Sequence, residues 1–222
     1  VASAGIHFML GFNRRFDPHI MQLKNAIKMG KAGTPRIIKI TSRDPEPPPI
    51  DFIKNSGGLF LDMSIHDFDM ARYLVEDEVV KVTANGRVFG DLEMEKYDDI
   101  DTAVITLIFK KGCMVQIDNS RYSSYGYDQR IEVFGEKGMV ATQNILEDKI
   151  ITADELGHHN SRAKYFFIER YTESYRNELI DFVATLQNKK APSISAEDGL
   201  ASLAIAIAAK RSLKEDITIN LT

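Results

Sequence analysis

The chain has 222 residues, 44% of them hydrophobic, with a formal net charge of −4 and a pI near 5.8. That length carries a sizeable core and lies between one large domain and two small ones, while scattered Lys and Arg leave no basic footprint for nucleic acid. The single cysteine, Cys113, excludes a disulfide framework and a Cys-based zinc site, and it fits a reducing cytoplasm.

In chain order, VASAGIHFMLGF reads as a helix end capped at Gly5 and then a buried strand from His7 to Phe12. It lacks the basic start of a secretory signal and opens on Val, so the chain is expected to begin inside a larger fold. Asp17 and Pro18 suit a helix start, and HIMQLKNAIKM repeats apolar residues at helical spacing until Gly30 and Gly33. PRIIKITSRD then alternates as a strand, and the proline run in EPPPI predicts a stiff extended loop. SGGLFLDMSIHDFDMARYL places a helix behind a Gly-Gly break. VVKVTANGRVF, DTAVITLIF, CMVQIDNSR and QRIEVFG alternate with turn signals at Lys111-Gly112 and Glu136-Lys137-Gly138, which predicts an antiparallel meander. RYTESYRNELIDFVATLQNKK is amphipathic, APSIS is a linker, and SAEDGLASLAIAIAAKRSL opens on a Ser cap and ends in Lys and Arg. The apolar run from Leu200 to Ala209 is far shorter than the ~20 residues that span a bilayer and reads as a buried helix, so no membrane partner is expected.

The chemistry concentrates at Asp62 and His66. Residues i and i+4 share one helical face, so this carboxylate and imidazole can act on one small molecule. Imidazole takes up and returns a proton near neutrality, and a carboxylate can orient it and stabilise its charged form. The same spacing also describes an ordinary solvated ion pair on a surface helix. His158 and His159 fall in a polar loop, GHHNSRAK, and are not expected to hold a metal. The sequence has no G-x-G-x-x-G, Walker loop or G-x-S-x-G elbow, so nothing in it binds a nucleotide by itself.

Six segments together carry a family resemblance. They are GFNRRFDP (Gly11 to Pro18), ITSRDPEPPP (Ile40 to Pro49), SGGLFLDMSIHDFDMARYL (Ser56 to Leu74), IDNSRYSSYGYDQRIEVFGEKGM (Ile117 to Met139), YFFIERYTESYRNEL (Tyr165 to Leu179) and EDGLASLAIAIAAKRS (Glu197 to Ser212). In this order, over nearly the whole chain, they resemble the Gfo/Idh/MocA oxidoreductases, and within them the branch acting on myo-inositol. The resemblance implies an N-terminal Rossmann domain for NAD or NADP and a C-terminal α+β domain with a large, mostly antiparallel sheet and helices on one face. Residues 1–13 would be the last helix end and strand of the first domain, and residues 14–222 the C-terminal substrate-binding and oligomerisation domain. The family's Gly-rich loop and its Glu-Lys-Pro segment with the catalytic lysine are not in this chain. NAD or NADP is therefore expected in a full-length parent and no cofactor for this chain alone.

By the same resemblance, His66 is the general base that takes a proton from a ring hydroxyl of a cyclic polyol, and Asp62 orients it and holds a hydroxyl. Asp44, Tyr125 and Tyr127 match positions near the substrate. Arg14, after the last Rossmann strand, could touch substrate or cofactor. Packing tyrosines at Tyr125 and Tyr127 and structural ion pairs at Arg15 and Arg43 are the readings that sequence alone favours. Asp67 and Asp69 stay outside the catalytic set. A non-catalytic assembly domain and a cofactor-free sugar lyase or isomerase are the alternative functions. In DTAVITLIF the alternation puts Ala103, Ile105, Leu107 and Phe109 on a core face, joined by Ile131 and Val133, against the two closing helices. Val104, Thr106, Ile108, Met114, Gln116 and Phe134 form the other, partly apolar face, through which a homo-oligomer is expected to form.

Overall fold

The structure is a computed structural model that describes residues 2–221. Its strands are β1 (Pro35–Arg43), β2 (Val79–Arg87), β3 (Thr102–Phe109), β4 (Met114–Ser120), β5 (Asp128–Gly135), β6 (Met139–Ala141), β7 (Ile151–Asp154), β8 (Gly157–Asn160) and β9 (Ile219–Asn220). Its helices are α1 (Pro18–Lys28), α2 (Ile50–Ser56), α3 (Leu59–Asp62), α4 (Ser64–Val75), α5 (Phe167–Arg170), α6 (Thr172–Asn188) and α7 (Ala196–Glu215), with a short 3-10 turn at Asn13–Phe16. A seven-stranded sheet runs β6-β5-β1-β4-β3-β2-β9, and β7 and β8 form a separate hairpin. The expected α+β architecture is present.

The expected meander is only partly realised. β2, β3 and β4 are consecutive antiparallel neighbours, but β1 inserts between β4 and β5, parallel to β4 and antiparallel to β5. Ile38 and Ile40 of β1 are buried as deeply as the middle of the sheet. An edge position would expose one side of that strand's backbone, whereas the centre satisfies both its donor and acceptor rows. The chain must therefore cross over the end of β1 to pass from β4 to β5, and residues 121–127 make that crossing.

Alternation along each strand then sorts the faces as expected. Ala103, Ile105, Leu107, Phe109, Ile131 and Val133 are buried in one core with Leu59, Phe68, Met70 and Leu74 from α3 and α4, and Ile205, Ala206 and Ala209 from α7. Each such aliphatic or aromatic side chain contributes roughly 1.5–3 kcal/mol on burial. On the opposite face Val104, Met114 and Phe134 are exposed. α7 covers β2 and α4 covers β1 and β4, whereas the main contacts of α6 lie elsewhere. It packs on the Asn13–Phe16 turn, where Asn177 Nδ2 donates to the Phe16 carbonyl at 3.2 Å. The expectation that both closing helices cover the sheet is met by α7, whose small residues Ala206, Ala208 and Ala209 are buried, while α6 packs mainly on the turn before α1.

Helix ends follow the sequence. The Asp17 side chain accepts from His19 N and Ile20 N with Pro18 in the first turn, and Ser195 and Asp198 form a capping box on α7. Lys24 reaches across to the end of α4, donating to the Tyr73 carbonyl at 2.5 Å and pairing with Glu76 at 2.7 Å. Two local readings are corrected. The strand expected from His7 to Phe12 does not form; a strand needs a partner, and none pairs with it among the described residues. GHHNSRAK is not all loop, since His158 and His159 lie in β8, with His159 Nε2 3.4 Å from Asp154. Among the described residues there is no cluster of three or more His, Cys, Asp or Glu that could hold a metal, and no helix long and apolar enough to cross a membrane. Cys113 is buried and unpaired, and burial pushes its thiol up to about 11.

Ser212 joins α7 to the sheet: its hydroxyl accepts from Ala84 N at 2.9 Å and donates to the Ile217 carbonyl at 2.6 Å. Ser212→Ala leaves the buried Ala84 amide and the partly buried Ile217 carbonyl without this partner and is expected to destabilise the fold by roughly 1–3 kcal/mol. Urea denaturation measures this, and an unchanged midpoint would show that water or rearrangement replaces both bonds.

Candidate active site

At the end of the sheet where β1 and β4 finish and β5 begins, a cavity of about 570 Å³ opens. Arg14, Asp44, Asp62, His66, Arg121 and Tyr127 line it, together with Asn13, Glu46, Pro47, Pro48, Pro49, Phe52, Met63, Phe166, Phe167, Tyr171 and Tyr175. Parallel β1 and β4 bring their carboxyl ends together, so Asp44 and Arg121, each the residue after its strand, become neighbours, and Asp44 N donates to the Ser120 carbonyl at 2.9 Å. A second depression of about 540 Å³ between α1 and β6 offers only the exposed His19 and Lys31 as titratable groups and concentrates no chemistry.

Asp62 and His66 do meet in one cavity, but not on one uninterrupted helix. Gly57 and Gly58 have φ of 87° and 90°, the left-handed region that glycine adopts without strain. After them α3 makes a single turn that ends at Asp62, Met63 interrupts, and α4 carries His66. A Cβ at Gly58 would come within 2.8 Å of Asp99 Oδ1, so the second glycine is also required for that close approach. Asp99 Oδ1 accepts from Leu59 N at 2.7 Å and fixes the start of α3 from outside the helix.

The side chain of Asp62 is held by Arg121, whose guanidinium donates to Oδ2 at 3.1 Å. His66 rests edge-on against Phe12, with ring centroids 5.8 Å apart, and its Nδ1 is buried without a hydrogen-bond partner. Burial and then the nearby Arg14 charge lower its pKa to about 3. The imidazole is therefore neutral at physiological pH, with a lone pair available to accept a proton. Asp44 moves the other way: burial raises it to about 6 against the opposing pull of Arg121 and Arg14.

Arg14 forms the floor. It is buried and pairs with Asp67 at 2.5 Å while donating to Ser42 Oγ at 3.0 Å. Asp67 also accepts from Ser42 Oγ at 2.7 Å and Asn119 Nδ2 at 2.8 Å, which explains why this carboxylate serves structure. Tyr127 lies in the cavity wall, ring to ring with Tyr171 at 6.1 Å, and burial pushes its phenol well above its usual value. Tyr125 is not brought to the cavity. It is 50% exposed, its hydroxyl accepting from Arg43 at 2.9 Å and donating to Asp128 at 2.7 Å. The turn from Ser123 to Gly126, with Gly126 at φ 115°, separates the two tyrosines, one in the cavity wall and one outside it. Arg15 and Arg43 make the expected ion pairs, Arg15 with Asp69 at 2.6 Å and Asp198 at 3.0 Å, and Arg43 with Asp118.

Sequence reasoning missed Arg121, Asn13 and the aromatic wall of Phe52, Phe166, Phe167, Tyr171 and Tyr175. Only the i, i+4 spacing of Tyr171 and Tyr175 was a usable signal; Arg121 acquires its role from a strand crossing that no local pattern encodes. Chemically, a base of carboxylates, guanidinia, imidazole and phenol under an apolar rim suits a compact, uncharged molecule rich in hydroxyls.

Comparison with known proteins identifies relatives over nearly the whole chain. Residues 24–221 match the family model described as "Oxidoreductase family, C-terminal alpha/beta domain". A myo-inositol 2-dehydrogenase of Thermotoga maritima is 50% identical over 218 residues, covering 98% of this chain and 65% of the relative. The structure of a myo-inositol dehydrogenase from Corynebacterium glutamicum superposes with a TM-score of 0.93 at 40% identity over 96% of this chain and 64% of its own. That of scyllo-inositol dehydrogenase from Lactobacillus casei, with bound NAD(H) and scyllo-inositol, gives 0.90 at 30% identity over 99% of this chain and 66% of its own. The chain thus spans about two thirds of the length of the relatives it matches.

Asp44 generates a pH test of stability. Its folded value near 6 exceeds the ordinary 3.8, so the stability it contributes as a neutral acid is present below about pH 4 and lost as pH rises through 6. Asp44→Asn, neutral at every pH, should match the wild type near pH 4 and exceed it at pH 7 by on the order of 1–3 kcal/mol. Thermal melts across that range decide, and a difference independent of pH would mean the buried carboxylate is not the cause.

Proposed function

The chain belongs to the Gfo/Idh/MocA family of oxidoreductases, and on that premise we propose that it is the substrate-binding part of an NAD- or NADP-dependent dehydrogenase that oxidises a ring hydroxyl of a cyclic polyol such as myo-inositol. Residues 1–13 are assigned to a dinucleotide-binding domain and residues 14–222 to the substrate domain. The observation that carries the reading is the convergence of His66, Asp62, Asp44, Arg14 and Tyr127 on one cavity. Inositol dehydrogenases among its relatives support the substrate class. The single cysteine fits a cytoplasmic enzyme.

In this mechanism the chain's residues bind the polyol and move one proton. Asp44, Asp62 and Tyr127 each satisfy a hydroxyl that has lost its water, and unpaired groups would reject molecules lacking one. The neutral His66 imidazole accepts the proton of the reacting hydroxyl, and Arg14, beneath it, is fixed by Asp67. A base with a strongly lowered pKa is weak, and the charge of Asp62, which lines the same cavity, favours the imidazolium that forms as the hydroxyl gives up its proton. The hydride that leaves the carbinol carbon as its hydroxyl loses this proton would go to a nicotinamide held by the rest of a full-length parent. The residues of this chain do not fit the dinucleotide as a whole, since no Gly-rich loop follows any of its strands.

In the intact enzyme, His66→Ala should lower turnover by about two to four orders of magnitude, the usual worth of a positioned general base, and Asp62→Asn should lower it as well. Turnover within about threefold of wild type for His66→Ala, at saturating inositol and cofactor, would return the pair to a structural role.

The exposed sheet face is proposed as the surface on which copies of the chain associate. Val104, Met114 and Phe134 lie there, with Ile108 half-buried between them. Light scattering at micromolar concentration should find a dimer or tetramer that Ile108→Glu with Phe134→Glu dissociates. A strict monomer, unaffected by those changes, would end this assignment.

A further inference from the structure

We propose that Arg121 is a positioning residue for Asp62, clamped from behind by Asp99, and that this clamp leaves one oxygen of Asp62 aimed into the cavity; the proposal rests on the reading above that Asp62 binds the polyol. Arg121 is 1% exposed. Its NH2 lies 3.1 Å from Asp62 Oδ2 and 4.0 Å from Asp99 Oδ2, and its Nε is buried with no hydrogen-bond partner. A buried guanidinium is tolerated only when paired. Here the pairing is with the two carboxylates at either end of one short segment.

That segment closes a ring of contacts. Asp99 Oδ1 accepts from Leu59 N at 2.7 Å, at the start of α3, and Asp62 is the residue at which α3 ends. From Asp62 the ring returns through Arg121 to Asp99 Oδ2. A one-turn helix has too few internal hydrogen bonds to hold its own direction. These contacts supply what the helix lacks: Asp99 Oδ1 fixes its first amide, Arg121 holds its last side chain, and the charge of Asp99 Oδ2, itself without a hydrogen-bond partner, attracts the guanidinium from 4.0 Å. Arg121 is itself anchored, since its amide donates to the Asp101 carbonyl at 2.8 Å. Gly58 completes the device by admitting Asp99 where a Cβ would collide.

The Asp62 side chain, 25% exposed, is thus held on its Oδ2 side by a group that donates only there, and Oδ1 remains for a substrate hydroxyl. A guanidinium presents its donors in a fixed plane, and a lysine ammonium does not. Arg121→Lys keeps the charge and loses the direction.

The test is a pair of double-mutant cycles in the intact enzyme, reading kcat and KM for inositol at saturating NAD, with circular dichroism and thermal melting to confirm folding. Arg121→Lys should lower kcat by about 10- to 100-fold, the effect of misplacing a reacting group by about 1 Å. In an Asp62→Asn background the same change should have no further effect, because its route is gone. Asp99→Asn, which keeps an oxygen for Leu59 N and removes the charge, should behave likewise with a smaller fall, and it decides the matter if Arg121→Lys does not fold. Equal fold-losses in both backgrounds, with Asp62→Asn itself impaired, would overturn the clamp and leave the functional reading intact. Wild-type turnover in Asp62→Asn would overturn both.

Discussion

The buried ion pair of Arg14 and Asp67 is the constraint on which the remaining structure is arranged. Two charges far from water cost several kcal/mol unless every polar atom finds a partner. Here Asp67 is bonded by Arg14, Ser42 and Asn119, and Asn119 in turn accepts from Ser64 at 2.6 Å. Gln129 Oε1 accepts from the Tyr171 hydroxyl at 3.1 Å and lies 3.0 Å from Ser42 Oγ, whose single hydrogen goes to Asp67. The partners come from β1, β4, β5, α4 and the turn before α1, with Tyr171 between α5 and α6. Shifting any of these elements would break bonds of this network, in which Gln129 Nε2 is buried without a partner, so the network constrains their relative positions.

This arrangement accounts for how a sheet core becomes a chemical site. Through most of their length the strands present Ile, Val, Leu and Phe to the helices, but near the cavity end the same inward-facing positions carry Ser42, Asn119 and Gln129. The change from apolar to polar marks where the core stops being only packing. A second buried pair, Arg170 with Asp17 at 2.5 Å, ties the start of α1 to the residue before Tyr171, and it keeps the aromatic wall beside the polar floor. His66 lies between these regimes, its ring against Phe12 and its neighbour Asp67 in the network. That boundary position makes it neutral.

Much of this was legible in the sequence. Period-two alternation assigned the buried face of β3 and β5 correctly, and the caps at Asp17 and Ser195 marked α1 and α7. The Asp62 and His66 pair was visible because its members are four residues apart and the glycines before it announce a break. These signals are local: each depends on backbone geometry within a turn or a few strand residues.

Tertiary structure alone decided the rest, because the deciding contacts join residues far apart in the chain. Arg14 and Asp67 are separated by 53 positions, and Arg121 and Asp62 by 59. The insertion of β1 between β4 and β5 has no periodic signature, yet it creates the crossing that carries Arg121 and Tyr127 over the end of β1 to Asp44. The same crossing turns Tyr125 outward to Arg43 and Asp128, away from the cavity in which the family resemblance had placed it. The sequence by itself determined most of the long helices and strands and which side of β3 and β5 faces inward, and it drew attention to the carboxylate and imidazole at Asp62 and His66. Which distant charges meet beneath them, and so which way Asp62 points and whether His66 is protonated, followed from burial, since the cost of isolating a charge from water arises only when the whole chain has packed.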